Sequence, residues 1–299
     1  GDMQIVATYS GWKDFGGAMA PSKIVQTRGG WPFFEVDVTA AKANPPDLAS
    51  LAPAPAPPAG RGGPGGGGPP AAGAAPAMTV TTEKLGDGLY RLTTGAGSYD
   101  SVIVEFKDYV MMLEAGQSEA RGLAYIAETK KLIPNKPIRY VMNTHPHSDH
   151  TGGLPPLVAE GATIITQKNN EAFFDKALNT PRTLVSDTLA KNPKKAKIEA
   201  VAEKKVYSDG TRTVEMYHAY PAPHSNGLLI AYIPKEKIVF QGDFSLPAPG
   251  QPANDHVMAL APVLKKLNLD FERYINVHTS AAPQTNAEFW KAVELRATK

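Results

Sequence analysis

The stretch Thr144-His145-Pro146-His147-Ser148-Asp149-His150-Thr151-Gly152-Gly153 follows directly on the apolar run Ile138 to Asn143, which reads as a strand. Four side chains able to ligate a metal, His145, His147, Asp149 and His150, fall within six positions. In extended backbone, residues two apart project to the same side, so His145 and His147 can grip one ion while Pro146 stiffens the loop between them. A turn at Gly152-Gly153 then aims Asp149 and His150 at a neighbouring point. The competing reading is a polar loop with incidental histidines. The chain has 7 histidines in all, and three of them beside an Asp at ligand spacing have little other physical use, so a metal site is expected.

Composition narrows the donors. The absence of cysteine removes disulfides, iron–sulfur clusters, Cys-ligated zinc and thiol nucleophiles together, which leaves His and carboxylate to hold any metal. Thirty-one basic residues against 29 acidic ones give a formal charge of +2, so no large field of one sign steers the chain toward nucleic acid or an anionic membrane. The apolar share of 42% is ordinary for a globular chain, and apolar runs such as Tyr109 to Leu113 fall far short of the ~18 residues of a membrane span. The chain opens on Gly1-Asp2 rather than Met, as a sequence cut from a longer one does, so the lack of an apolar leader decides nothing about compartment.

Three regions follow from residue usage. Residues 1–44 show strand character at Gln4 to Tyr9, Ser22 to Thr27 and Phe33 to Thr39, with turn signals at Gly16-Gly17 and Arg28-Gly29-Gly30. Three strands make a thin core, as in a truncated domain. Residues 45–77 are rich in Pro, Gly and Ala; apart from Arg61, nothing else occurs between Ala52 and Ala77, so a flexible tether is expected. Residues 78–299 are long enough for one sizeable domain. Strands are expected at Val80 to Glu83, Leu89 to Thr93, Ser101 to Phe106, Tyr109 to Leu113, Thr163 to Thr166, Val214 to Tyr217, Gly227 to Ile233, Ile238 to Gln241 and Tyr274 to Val277. Helices are expected at Glu119 to Leu132, with Leu123, Ile126, Ala127 and Ile133 on the buried face, and at Asn170 to Leu178, Val257 to Leu267 and Asn286 to Ala297. Strands first, then α/β alternation twice over, imply two sheets packed face to face with helices outside.

His145-x-His147-x-Asp149-His150 resembles the signature of the metallo-β-lactamase superfamily, and further matches follow in order: Pro223-His224-Ser225-Asn226-Gly227, Phe240-Gln241-Gly242-Asp243-Phe244 and Ile275-Asn276-Val277-His278. The resemblance implies an αββα sandwich with the metal site at one edge of its two sheets. It implies that His145, His147 and His224 bind one ion, that Asp149, His150 and His278 bind a second, and that Asp243 bridges them. Neutral imidazoles with carboxylates suit Zn²⁺, and also Fe or Mn; two such ions can share a water acidified to hydroxide at neutral pH, with Asp149 orienting it and shuttling its proton. The early acidic residue that in this family braces the metal loop stands here as Glu114 in Glu114-Ala115-Gly116, in place of Asp. The last His is followed by Thr279 and Ser280 where glycines are usual.

Within the family, true β-lactamases carry Cys or Ser where Asp243 stands, so β-lactamase activity is compatible but not favoured. A bridging Asp is typical of glyoxalase II, lactonases, sulfatases and phosphodiester hydrolases. His147 argues against the flavo-diiron oxygen reductases, which carry an acid there, and the short stretch after His278 argues against glyoxalase II. The expected function is a metal-dependent hydrolase acting on an ester, lactone, amide or similar bond of a small molecule. A nuclease or phosphodiesterase, and a non-catalytic envelope module, are the alternatives. Residues 1–44 also resemble the closing hairpins of bacterial lipoprotein carrier and sorting proteins, which with the tether implies a periplasmic or secreted location.

Other residues carry weaker signals. Tyr99, in the glycine-rich turn Gly95 to Asp100, is a candidate substrate contact, since loop aromatics beside a cleft often line it. His218, just before His224 in a stretch ending at Tyr220, is a candidate oxyanion donor or proton carrier against the ordinary alternative of a hydrogen-bonded strand histidine. His256 reads as an exposed loop or cap residue. Lys191 to Lys205 holds six lysines with Glu199 and Glu203 among them; mixed signs and no interleaved aromatics read as a solvated face rather than a nucleic-acid patch.

Overall fold

A computed structural model of the 299-residue chain describes residues 3–42, 78–95, 99–278 and 282–298. The proline- and glycine-rich stretch, Ala96 to Ser98 in the turn before Tyr99, and Thr279 and Ser280 after the last histidine lie outside them.

The chain divides into two compact units. The first contains an antiparallel sheet of β1 (Ile5–Asp14), β2 (Met19–Arg28) and β3 (Trp31–Asp37), close to the expected strands. Many of its large apolar side chains are exposed, among them Tyr9, Trp12, Trp31 and Phe34, as expected of so thin a core.

The second unit is built on two sheets. In the seven-stranded one, β4 (Thr81–Gly86), β5 (Leu89–Thr93), β6 (Ser101–Glu105) and β7 (Val110–Leu113) form an antiparallel meander. It continues in parallel through β8 (Ile138–Met142), β9 (Thr163–Gln167) and β10 (Lys197–Val201). Parallel neighbours need crossovers, and helices supply them: α1 (Glu119–Leu132) joins β7 to β8, α2 (Ser148–Thr151) and α3 (Leu154–Glu160) join β8 to β9, and α4 (Glu171–Asn179) and α5 (Thr188–Lys191) join β9 to β10. The six-stranded sheet runs β11 (Lys204–Ser208), β12 (Thr213–His218), β13 (Leu229–Ile233), β14 (Ile238–Gln241), β15 (Arg273–Asn276) and β16 (Gln284–Thr285). Here α6 (Asp255–Leu267) makes the crossover to β15, which pairs in parallel with β14, and α7 (Asn286–Ala297) follows β16.

Alternation along the strands sorts the core into three layers, because successive side chains face opposite sides of a sheet. Val102, Val104, Met111, Leu113 and Met142 meet Val214, Met216, Leu229, Ala231 and Phe240 between the sheets. Ile103, Val110, Met112, Val141 and Ile164 face the other way, onto Tyr125, Leu154, Leu157 and Phe174 of the first helical layer. On the outer face of the second sheet, Ile230, Tyr232, Val239 and Tyr274 pack on Val257, Leu260, Leu264 and Phe289. The result is the expected αββα sandwich. The central strands are buried on both faces, which is why they read as continuous apolar runs; each such side chain contributes about 1.5–3 kcal/mol by burial.

Three local expectations change. On α1 the buried residues are Arg121, Gly122, Tyr125, Ile126 and Thr129, whereas Leu123 and Ala127 face solvent. Gly122 lies so close to the Gly153 backbone that a Cβ would sit 2.6 Å from its carbonyl oxygen, and that contact sets the rotation of the helix. Gly152 and Gly153 are right-handed, at φ −63° and −87°, and join two helices rather than forming a turn that needs positive φ. Glycine is required for space: a Cβ would lie 2.0 Å from the Gln117 oxygen at position 152 and 1.9 Å from the Ala115 oxygen at 153. The lysine-rich stretch is not one face but parts of the two edge strands β10 and β11, with Lys205 paired to Glu199 and Lys204 to Glu215. Lysines on sheet edges discourage further strand pairing.

Candidate metal centre

The candidate ligands sit on loops at one end of the two sheets. The first loop leaves β8 at Met142 and is held at both ends: the Asn143 amide donates to the His150 carbonyl at 2.9 Å, and Leu229 N donates to the Thr144 carbonyl at 2.8 Å, tying the loop to the second sheet. Glu114, fully buried and at a φ of +67°, follows the last residue of β7. A non-glycine residue rarely adopts this conformation, and here it turns the carboxylate inward. One oxygen accepts from Thr144 N at 2.5 Å and the other lies 3.0 Å from His150 Nδ1, so Glu114 braces the metal loop as expected.

Asp243 follows β14 by way of Gly242, where a Cβ would lie 2.9 Å from Thr144 Oγ1 and 3.3 Å from His145 Nδ1; only glycine lets the two loops approach this closely. Asn276 locks the last strand to this loop. Its amide donates to the Gly242 carbonyl at 2.7 Å, and its side-chain oxygen accepts from His278 N at 2.7 Å and from Ser245 Oγ at 3.0 Å.

These loops bring the seven residues into two adjoining groups, His145, His147, His224 and Asp243 in one and Asp149, His150 and His278 in the other. Within each group the ligand atoms lie within 4.8 Å of one another. In the first, His145 Nε2 is 3.0 Å from both His147 Nδ1 and His224 Nε2. In the second, His150 Nε2 is 3.1 Å from His278 Nε2, and Asp149 Oδ2 is 3.6 and 3.7 Å from these nitrogens. Asp243 reaches both groups: Oδ2 is 2.7 Å from His224 and 3.5 Å from His145, while Oδ1 is 2.7 Å from His278 and 2.8 Å from His150.

Such a cluster fits a cation. One imidazole nitrogen facing two others at 3.0 Å cannot satisfy both contacts with a single proton or lone pair. A tetrahedral ion with bonds of 2.0–2.1 Å spaces its ligand atoms about 3.3 Å apart, which lies inside the observed range. The supporting contacts also match metal chemistry, since Thr144 Oγ1 meets His145 Nδ1 at 3.1 Å and Glu114 meets His150 Nδ1, orienting each ring through its outer nitrogen. Nitrogen and carboxylate donors suit Zn²⁺, Fe or Mn.

Electrostatics differ across the cluster. Burial lowers the proton affinity of His145; burial, then the neighbouring His224, does the same at His147. At His150 burial works against charge as well, yet the carboxylates of Glu114 and Asp243 outweigh it and push the pKa up to about 10. Burial also works against ionising Asp243, but hydrogen bonds from His145, His150, His224 and His278 hold it far below the ordinary carboxylate range.

The remaining candidates separate. Tyr99 lies beside the second group, its ring edge-on to His278 at 4.8 Å and to His150 at 6.2 Å. Burial, then the nearby Asp149 carboxylate, raises its hydroxyl. His218 does not join the cluster: Nε2 meets the Asn226 carbonyl at 2.9 Å and Nδ1 meets Glu203 at 3.4 Å. With both nitrogens engaged by protein, it secures the chain beyond His224 instead of offering a donor to a substrate. His256 is exposed in the first turn of α6, as anticipated for a cap region, but its ring stands 5.3 Å from that of His224. Thr144 and Asn276 escaped the sequence reading; polar residues next to ligand histidines are the one local signal that marks them.

Comparison with known proteins agrees with this arrangement. The sequence pattern of the metallo-beta-lactamase superfamily matches residues 94–285, well over half of the chain. Among solved structures, a metallo-beta-lactamase from Pontibacter korlensis is similar at a TM-score of 0.55 and 15% identity, covering 74% of this chain and 100% of its own. The metallo-beta-lactamase FIM-1 from Pseudomonas aeruginosa, in its mono-zinc form, gives 0.53 and 18%, covering 75% and 97%. DIM-1 metallo-beta-lactamase gives 0.55 and 17%, covering 73% and 97%. No curated protein matches the sequence. At such identities the structural likeness speaks for the fold, and the sequence pattern supplies the rest: the chain belongs to the metallo-β-lactamase superfamily, a family of hydrolases.

Proposed function

We propose that this chain is a dinuclear metal hydrolase, zinc being the preferred ion, that cleaves an ester, lactone, amide or similar bond of a small molecule. His145, His147 and His224 would hold one cation, Asp149, His150 and His278 the other, and Asp243 both. The observation that carries this reading is the division of Asp243, one oxygen toward each group of imidazoles. Divalent cations at such a site supply Lewis acidity and bring the pKa of water down toward neutrality. The protein's own groups do the rest. The four imidazoles keep Asp243 ionised, Glu114 fixes the His150 ring, and Asp149, 37% exposed against 14% for Asp243, is the carboxylate open to take up a proton from the cleft. Tyr99 is placed to touch a substrate beside the second group.

Phosphodiester cleavage is the competing reading. It is disfavoured because Lys204 and Lys205, from the most basic stretch, are paired with acids on an edge strand. In the same proposal residues 45–77 tether the small β-sheet to the hydrolase unit, and the location is periplasmic or secreted. The test is metal content per chain with a turnover screen over lactones, thioesters, β-lactams and phosphodiesters, before and after chelation. Two ions per chain, and turnover lost on chelation and restored by Zn²⁺, are expected. Turnover that survives both chelation and Asp243→Asn would overturn the scheme.

A further inference from the structure

Resting on the two-cation reading, the inference concerns how the second cation's ligands are held. His145 and His150 each have their outer nitrogen fixed, by Thr144 and Glu114. His278 differs. Its Nε2 faces Asp243 at 2.7 Å, and its Nδ1 makes no hydrogen bond among the described residues. A ligand imidazole without an outer hydrogen bond needs something else to fix its plane. The Tyr99 ring meets it edge-on at 4.8 Å and meets His150, of the same group, at 6.2 Å.

Tyr99 is itself clamped. Its carbonyl accepts from the Tyr125 hydroxyl at 2.8 Å, and the next residue, Asp100, donates its backbone N–H to the Val277 carbonyl at 2.8 Å, beside His278. Against its face lies Arg121, with Cζ 5.1 Å from the ring centroid. Arg121 is only 6% exposed, and its buried Nε and Nη1 have no hydrogen-bond partner. A buried guanidinium that forgoes those bonds is costly, and its contact with the Tyr99 face is the compensating interaction on view. Room for it exists because position 116 is glycine; a Cβ there would lie 2.8 Å from Arg121 Cδ.

We infer that Tyr99 and Arg121 are positioning residues for the second cation: Arg121 holds the Tyr99 ring, and the ring holds His278 in its ligating orientation. The hydrogen bond that supports the other imidazoles is replaced here by an aromatic wall backed by a cation.

Zn²⁺ titration of the metal-stripped chain by calorimetry tests this without a substrate. The wild type should take up two ions. Tyr99→Ala should weaken one of them about 10–100-fold, the range typical of lost outer-shell support, and leave the other unchanged. Adding His147→Ala to Tyr99→Ala should then abolish binding, whereas adding Asp149→Ala should not. Tyr99→Phe keeps the ring and should bind both ions as the wild type does. Arg121→Lys keeps the charge but loses the planar stack, so it should weaken the same ion about 3-fold or more, with the metal-free melting temperature unchanged. Wild-type binding in both Tyr99→Ala and Arg121→Lys, equal weakening of both ions, or a loss in Tyr99→Phe as large as in Tyr99→Ala overturns the inference. A wild-type chain that binds a single ion overturns the two-cation reading, and this inference falls with it.

Discussion

His145 and His150 stand five positions apart on one loop, and both side chains are fully buried, yet their proton affinities move in opposite directions. Burial alone disfavours the charged form at either residue. At His145 that effect prevails, because the group on its outer nitrogen is a neutral hydroxyl, Thr144. At His150 it is overcome by carboxylates on both sides of the ring, Glu114 at Nδ1 and Asp243 at Nε2. One half of the candidate centre therefore meets a cation with neutral imidazoles, and the other with a proton to be displaced. Identical residues in equal burial acquire different chemistry from what faces their far side.

The contrast can be broken most severely at the residue common to both halves. Asp243→Asn should cost both ions together and reduce turnover by more than the 10–100-fold typical of a supporting residue, read as metal content and rate on whichever substrate the screen yields. His147→Ala and His150→Ala should each remove one ion of the two. Loss of both from either variant would show that the halves do not bind separately.

Glu114→Gln sharpens the comparison, since it leaves the shape and removes the charge. The His150 pKa should fall back toward that of His145, a change NMR titration of the metal-free chain would register. In the unaltered chain, protons compete with the second cation below about pH 10, so its affinity should fall as the pH drops, by up to tenfold per unit, while the first holds until acid conditions. The variant should flatten that dependence. The sign for folding is also determined: a raised histidine pKa stabilises the metal-free chain below the ordinary value near 6.5, and that contribution is lost as the pH rises through about 10. Zn²⁺ titrations and melting curves between pH 6 and 10 check both statements.

The smallest expected effect lies away from the centre. Thr285 and Glu288 form a reciprocal cap on α7, and burial plays little part in the lowered pKa of Glu288, which comes from its bonds to Thr285. Thr285→Ala should cost about 1 kcal/mol of stability and leave metal content alone, as thermal unfolding and metal analysis would show. An effect on either ion would mean that the two ends of this unit are coupled.

The ligand pattern was legible because histidines two and five apart on one loop are constrained by local backbone geometry, and the strand order because doubly buried strands are apolar throughout. The face of α1 was not: Leu123 looked like a core residue by periodicity, but the close approach of Gly122 to Gly153 turned it outward. Nor was the lysine stretch, whose charges masked two edge strands since edge positions tolerate polar residues on both sides. His218 resembled a site residue only by proximity in sequence to His224.

Residue types and spacing by themselves determined which groups are available for metal chemistry, that cysteine takes no part in it, and that the chain folds as alternating strands and helices. They act through short-range geometry and composition, which need no partner. Which imidazole carries a proton, which carboxylate oxygen faces which group, and which side chains stand behind Tyr99 were decided only when distant loops were brought together by the two sheets. Those properties depend on a few ångströms of separation between residues as far apart in sequence as Glu114, Asp243 and His278, and a few ångströms are what a packed interior sets.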